Sequence, residues 1–252
     1  MTLRLLSLLL CLSLPSVSWA AKCLSIGDAQ SALSIEKGRG FAPRLAESLK
    51  DKGYELTTYA LIGSGAKDWL TDPTKNDSLI LGELNTPTEI NPFVFGKSDL
   101  KLDRTTSESF IKQIFNFHKN EDIDCMLIQL GDNDLFKDGA PVALKELVEV
   151  IVNQEQRPRV CGIVLPSFKE LREKDENPFI TNKRKANYIE RVRHHLQKSG
   201  LLQECPLLST MTPEVHELLK ENDKSFTTDG LYFNDRGASI WVKEALKKHP
   251  LL

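Results

Sequence analysis

The groups of this chain best placed to do chemistry sit in four short turns. The first is Ile26-Gly27-Asp28-Ala29-Gln30-Ser31, the second Ser64-Gly65-Ala66, the third Gly131-Asp132-Asn133-Asp134 and the fourth Asp229-Gly230-Leu231-Tyr232. The backbone N–H groups of Ala29 and Gly65 and the carboxamide of Asn133 are hydrogen-bond donors. Fixed around one point, they could hold the negative charge that develops on a carbonyl oxygen during acyl transfer. Such chemistry also needs a nucleophile and a base. The Ala29 methyl cannot attack a carbonyl, and a phenol such as Tyr232, with a pKa of about 10, is a poor base at neutral pH. Asp229 could orient a neighbouring donor or cap a helix.

Other residues could supply the missing groups. Ser31 lies two positions after Ala29. It reads as the N-terminal residue of a helix and faces away from the first turn's ligand side, because i and i+2 are not helix neighbours. Ser64 is beside Gly65 but has no evident base. His216 and His249 flank Tyr232 and read as surface residues, and His194 and His195 lie on a charged helix. Asp28, Asp132, Asp134 and Asp229 are oxygen donors of the kind a hard cation takes. A simpler account of these acids, given below, needs no cation, so no metal and no cofactor is expected.

Apolar runs alternating with helical patterns position these turns. Strands are expected at Cys23–Gly27, Glu55–Leu61, Cys125–Leu130, Val160–Leu165 and Pro206–Leu208. Helices are expected at Phe41–Lys52, Val142–Val152 (stripe Leu144, Leu147, Val148, Ile151), Lys183–Ser199 (stripe Ile189, Val192, Leu196) and Asp235–Lys248. This alternation implies a parallel sheet covered on both faces. Asp28, Ser64-Gly65 and Asp132-Asn133-Asp134 then fall at carboxyl ends of strands, where such sheets bind ligands. The stretch 72–109 is broken by Pro73, Gly82, Pro87, Pro92 and Gly96. It reads as a solvated excursion with a hairpin, in which Phe93-Val94-Phe95 could be a short edge strand.

The chain has 252 residues, 40% hydrophobic and 27% charged, with a formal net charge of −2. That composition fits a globular protein and gives no pointer to nucleic acid or an anionic membrane surface. Arg4, the apolar run Leu5–Leu14 and Ser18-Trp19-Ala20 read as a secretory signal peptide over 1–20, with cleavage near Ala20. The run is too short for a comfortable membrane span of about 20 residues. The expected mature chain, 21–252, is a single domain without a transmembrane span, secreted or periplasmic. It keeps Cys23, Cys125, Cys161 and Cys205, which allow three pairings that sequence does not choose between. Export permits disulfides, and all four cysteines lie at or near strand starts, so they would gather at the amino end of the sheet, away from the turns.

The four turns, in this order and at these strand ends, resemble the four blocks of the SGNH (GDSL-type) hydrolases, and the resemblance covers nearly the whole mature chain. It implies an α/β, flavodoxin-like three-layer sandwich with a central parallel sheet. Gly27-Asp28-Ala29 stands where the family has Gly-Asp-Ser. Gly65 matches the oxyanion glycine, and Gly131-Asp132-Asn133-Asp134 matches Gly-x-Asn-Asp in full. Asp229-Gly230-Leu231-Tyr232 keeps the Asp of Asp-x-x-His and lacks the His. The resemblance therefore implies no intact catalytic set, with Ala29, Asp229 and Tyr232 at vestigial positions and Asp28, Ala29, Gly65 and Asn133 as an oxyanion-hole or binding site. Its expected ligand is a small molecule or glycan, of which acylated cell-envelope polysaccharide is the family analogy. Two alternatives stay open: an acyl-ester hydrolase or acyltransferase using Ser31 or Ser64 with a remote His, and an envelope scaffold. Oligomeric state is not legible.

Overall fold

The computed structural model describes residues 20–36, 40–75, 89–131, 133–134, 139–164, 182–208 and 235–247. The strands are β1 (Ala21–Gly27), β2 (Tyr54–Ala60), β3 (Glu89–Ile90), β4 (Phe93–Phe95), β5 (Leu102–Asp103), β6 (Ile123–Gln129), β7 (Val160–Val164) and β8 (Leu207–Leu208). The helices are α1 (Ala29–Glu36), α2 (Phe41–Lys50), α3 (Ala66–Leu70), α4 (Phe110–Phe117), α5 (Ala140–Val152), α6 (Asn182–Lys198), α7 (Leu201–Glu204) and α8 (Asp235–Lys247).

Six strands form one sheet in the order β4-β2-β1-β6-β7-β8. The five from β2 to β8 run parallel, and β4 joins antiparallel to β2 at the edge. The sheet is thus mostly rather than wholly parallel. Numbered among themselves along the chain, the parallel strands read 2-1-3-4-5, the flavodoxin-like order, whose direction of travel reverses between β1 and β6.

β1 shows why the sheet is buried on both faces. Leu24 and Ile26 point into one apolar cluster and Cys23 into the other, as strand alternation requires. α2 and α8 cover the Cys23 face through Phe41, Leu45, Leu49, Val242 and Leu246. α3, α4, α5 and α6 cover the opposite face through Trp69, Ile111, Ile114, Leu144, Leu147, Val192 and Leu196. Each such aliphatic side chain, fully buried, contributes roughly 1.5–3 kcal/mol. This is a three-layer α/β/α sandwich.

α4 was not expected. Phe110, Ile111, Ile114 and Phe115 are all buried on it, and their i, i+1, i+4, i+5 spacing is the signal that finds it. The excursion is also less solvated than expected. β3 and β5 pair antiparallel, and Ile90 and Leu102 join the main core.

The cysteines pair as Cys23–Cys125 and Cys161–Cys205. Cys23 and Cys125 are register partners on neighbouring strands. All four lie at or near the amino ends of their strands, as expected, with Cys161 level with Met126, the residue after Cys125, but the first bridge lies in the α2/α8 cluster and the second in the opposite one. Each face of the sheet carries its own staple. No helix among the described residues is long and apolar enough to cross a membrane.

Candidate binding site at the carboxyl rim of the sheet

Register sets the rim. Gly27 of β1 lies level with Ala60 of β2 on one side and Gln129 of β6 on the other. The chain leaves these three positions into the first three sequence turns. Ala29 and Asn133 therefore sit on the loops of adjacent strands, at the point where the strand order reverses. Asp229 and Tyr232 fall outside the described residues, as do Asp132, His216 and His249.

The first turn is locked from beneath. Ala32 N–H donates to the Asp28 carbonyl at 3.0 Å, starting α1, and Asp28 N–H donates to the Gln129 carbonyl at 3.2 Å. The Gln129 carboxamide then bridges two side chains. Its Nε2 donates to Asp28 Oδ1 at 3.3 Å, and its Oε1 accepts the Ser31 hydroxyl at 2.5 Å. Asp28 and Ser31 are both fully buried. Ser31 lies in the first turn of a helix as expected, and its hydroxyl turns inward to the sheet. It packs so tightly that a Cβ on Gly27 would fall 2.3 Å from Ser31 Oγ. Gly27 is a glycine because a side chain presses on its Cα, not because of an unusual φ.

The second turn is equally closed. Ser64 is buried, and its hydroxyl donates to the Leu61 carbonyl at 2.9 Å while accepting the Trp69 indole N–H at 3.2 Å. The Gly65 N–H, expected to face a ligand, donates to Asp68 Oδ2 at 2.7 Å. Asp68 N–H returns a bond to the Gly65 carbonyl at 3.0 Å, a reciprocal cap on the first turn of α3. Gly65 has φ −120°, ordinary extended backbone. Its need for glycine is again close approach, since a Cβ there would lie 1.9 Å from Asp134 Oδ1.

The third turn is bonded to the second. Gly131 has φ 132°, a conformation glycine adopts readily, and Asp134 N–H closes the turn onto the Gly131 carbonyl at 3.1 Å. The Asp134 carboxylate accepts the Ala66 N–H at 3.0 Å, with the Tyr188 hydroxyl of α6 at 3.5 Å. Asn133 is half-buried, and its Nδ2 donates to the Ser64 carbonyl at 3.1 Å. That bond uses one of the two hydrogens a carboxamide nitrogen carries and fixes the direction of the other. The second and third turns are thereby joined around Asn133, Gly65 and Asp134, while the first is tied to the end of β6 through Gln129.

Comparison with solved structures identifies this architecture. The chain is similar to a variant of the acetyl xylan esterase Axe2 from Geobacillus stearothermophilus (13% identity, 92% of this chain and 96% of that one, TM-score 0.52). It is also similar to a member of the lipolytic G-D-S-L family from Veillonella parvula (13% identity, 92% and 100%, TM-score 0.52). A third similar structure is a Slackia heliotrinireducens protein assigned to the SGNH hydrolases (13% identity, 90% and 98%, TM-score 0.54).

The chain has the SGNH hydrolase fold.

No protein-family model matches the sequence, and no curated protein does so. On the SGNH frame Ala29 opens α1 directly after β1 and is buried, 5% exposed. Its N–H belongs to the first turn of α1, whose amides have no acceptor within the helix. Among the described residues no cluster of three or more His, Cys, Asp or Glu could hold a metal. Asp28 and Asp134 instead serve the side chains and amides named above.

Sequence reasoning missed Gln129, which orders the floor beneath Ala29, and Asp68, which takes the Gly65 amide. The cue to Asp68 was its position three residues after Gly65, the spacing of a capping box. Gln129 is the one polar residue at the end of an otherwise apolar strand, Cys125–Leu130, and a polar group there marks the rim. His118, considered nowhere in the search for a base, is a third omission. It is 4% exposed and touches Tyr59 and Glu121.

Proposed function

We propose that this chain is an exported SGNH-fold protein that binds an acylated carbohydrate or related small ligand at the carboxyl rim, without ordinary serine-esterase turnover. One observation carries the reading. The position that opens α1 after β1 holds a methyl group, while the nearby hydroxyls of Ser31 and Ser64 are buried and already hydrogen-bonded. Neither serine has a histidine beside it among the described residues. The donors retained for a ligand are the second Asn133 N–H and the Ala29 amide. Gly65 would join them where a ligand oxygen displaces Asp68.

The ligand class follows the neighbours: two of the similar structures are an acetyl xylan esterase and a lipolytic G-D-S-L protein. Export is supported by the amino-terminal pattern and by two disulfides, which persist in oxidising compartments. Residues 21–252 act in this reading as one domain.

Two measurements test it. The mature protein is assayed with a short-chain aryl ester; turnover of about 1 s⁻¹ or more, the ordinary enzyme range, ends the non-catalytic reading. The double variant Ala29→Ser with Tyr232→His is assayed beside it. Gain of ester hydrolysis in a folded double variant is the expected result, because the two substitutions supply the missing hydroxyl and imidazole. Glycan binding that survives Asn133→Ala unchanged removes the rim as the ligand site.

A further inference from the structure

A second constellation of hydroxyl, imidazole and carboxylate lies elsewhere on the sheet, and the proposed function makes no use of it. The Tyr59 phenol, next to the last residue of β2, is 2.8 Å from Ser98 Oγ and 2.7 Å from His118 Nε2. His118 follows α4, and its Nδ1 is 2.7 Å from Glu121 Oε2. The same carboxylate oxygen receives Lys22 Nζ at 2.8 Å, from the start of β1. The Phe117 ring meets the imidazole edge-on, with centroids 5.0 Å apart. Tyr59 and His118 are 0% and 4% exposed. Lys22 and Glu121, at 41% and 34%, reach solvent. Asp99 is the other charged group acting on the phenol.

The directions of these hydrogen bonds are not independent. Burial pushes Glu121 up, but hydrogen bonds from Lys22 and His118 outweigh it and hold the carboxyl below its ordinary range. A carboxylate only accepts, so Nδ1 carries a hydrogen in either state of the ring. Nε2 is then the variable atom. When bare, it accepts the Tyr59 hydrogen, and the phenol oxygen in turn accepts the Ser98 hydroxyl. When protonated, it donates to the phenol oxygen, and Tyr59 must donate to Ser98 Oγ. The phenol itself stays neutral, because burial pushes Tyr59 up to about 12.

We propose that this chain of groups is a buried proton switch, in which a proton added at His118 Nε2 reverses the Tyr59–Ser98 hydrogen bond and loosens the segment 96–103 from the sheet. The link to that segment is Ser98 itself. Its Oγ also accepts the Leu100 N–H at 3.2 Å. With Nε2 bare, Ser98 donates to Tyr59 and accepts only from Leu100. With Nε2 protonated, Ser98 accepts from both, and its own hydrogen is released. The oxygen has a lone pair for each donor, but Ser98 no longer donates, so the polarisation that strengthened its oxygen toward Leu100 is lost. Segment 96–103 joins β4 to β5, so weakening it acts on the excursion packed along the β2 edge.

Amide hydrogen exchange on the full mature chain tests this. Between about pH 8 and about pH 5, the range where imidazoles titrate, Leu100 exchange corrected for the intrinsic rate should speed up by up to about twofold, the weakening expected when a cooperative neighbour is lost rather than the whole bond. Tyr59→Phe should abolish the pH dependence, and so should His118→Gln. Flat corrected exchange in the wild type, or an unchanged pH dependence in Tyr59→Phe, overturns the proposal. Nitrogen-15 spectra of the wild-type imidazole decide the matter if the variants do not fold. Nδ1 must keep its hydrogen throughout while Nε2 passes from bare to protonated; an Nε2 that stays in one form across the range overturns the switch.

Discussion

The carboxyl rim and the Tyr59–His118 chain are both polar clusters buried in the same sheet, yet they are built on opposite principles. At the rim all but the Ala29 amide and one Asn133 N–H among the groups described are closed onto a neighbour. Gln129 spans Asp28 and Ser31, Asp68 takes the Gly65 amide, Trp69 and Leu61 take the Ser64 hydroxyl, and Asp134 holds Ala66. Each bond there has one possible direction, because each joins a fixed donor to an acceptor or is set by such a pair. The Tyr59–His118 chain contains two hydroxyls and an imidazole, groups that can each donate or accept. It is therefore bistable and leads to solvent through Glu121 and Lys22. A lattice of fixed bonds suits holding a ligand's oxygen in place. A reversible chain suits sensing a proton. The sheet thus divides its buried polar groups between a fixed lattice and a reversible chain.

That division requires a rigid sheet between the clusters, and cutting the staples is the largest perturbation available. Replacing both Cys23 and Cys125 by Ala should cost about 3–5 kcal/mol of unfolding free energy. The Cys161–Cys205 pair should cost less by about 0.7 kcal/mol in the chain-entropy account, since the bridges enclose 102 and 44 residues. Urea unfolding of the two double variants measures both. Equal or reversed costs would show that native packing on the two faces, rather than loop length, sets the value of each bridge.

Next in size is Gly65→Ala. The new Cβ meets Asp134 Oδ1 at 1.9 Å, and Asp134 cannot retreat without releasing the Ala66 amide. A loss of about 3 kcal/mol is expected, the upper end for overpacking. Asp134→Ala alone should cost about 1–3 kcal/mol through the lost cap. The double variant should cost much less than the sum, because the clash partner is gone. Strict additivity would mean that the two residues do not share the close contact that closes the rim.

How much of this was legible in the sequence depends on the length scale of the information. The sheet and its main helices were readable because Leu24 and Ile26, or Leu144, Leu147, Val148 and Ile151, carry their periodicity within one element. The fold class followed from the alternation of those elements. The first three turns were readable as strand ends. Their internal bonding was not, because it depends on side chains far apart in sequence. Ser31 and Gln129 are 98 residues apart, and Tyr59 and His118 are 59 apart. Helix geometry alone turns the Ser31 hydroxyl away from the ligand side, but it cannot name the Gln129 partner on another strand. Disulfide pairing was illegible for the same reason. Asp229 and Tyr232 lie outside the described residues, so the fourth turn stands as the sequence left it.

The Tyr59–His118 chain makes a prediction about acid that the rim does not. The Glu121 carboxyl is depressed in the folded protein, so its contribution to stability is fully present above its ordinary value of 4.5 and is lost as pH falls through the lower folded value. Unfolding midpoints in urea should therefore decline below about pH 4.5, and Glu121→Gln should remove part of that decline. The effect is small, well under about 1 kcal/mol, because Glu121 is one-third exposed and its pair with Lys22 is screened. The alkaline limb has the opposite sign. Tyr59 is raised from 10.0 to about 12, so its contribution is present below pH 10 and is lost as pH climbs toward 12. An acid limb unchanged by Glu121→Gln would detach Glu121 from His118 energetically, and with it the solvent end of the relay.

The finest contrast lies between the satisfied serines of the rim and two hydroxyls just below it. Ser25 of β1 and Thr58 of β2 are register partners on the same face of the sheet, both fully buried, and neither hydroxyl has a hydrogen-bond partner among the described residues. Ser31 and Ser34, on the α1 side, are buried as deeply and are bonded. An unmet buried hydroxyl carries a desolvation cost that its apolar isostere avoids. Thr58→Val keeps the β-branched shape and removes that cost, so it should stabilise the protein by about 1 kcal/mol, with Ser25→Ala giving a smaller gain offset by the lost volume. The same substitution tests whether the polar lattice reaches below the rim. If Thr58→Val destabilises instead, the two hydroxyls are bridged by an internal water, which needs two or more polar partners and is costly to displace. The fixed network would then extend one strand level deeper than Gln129, and its floor would be hydrated rather than dry.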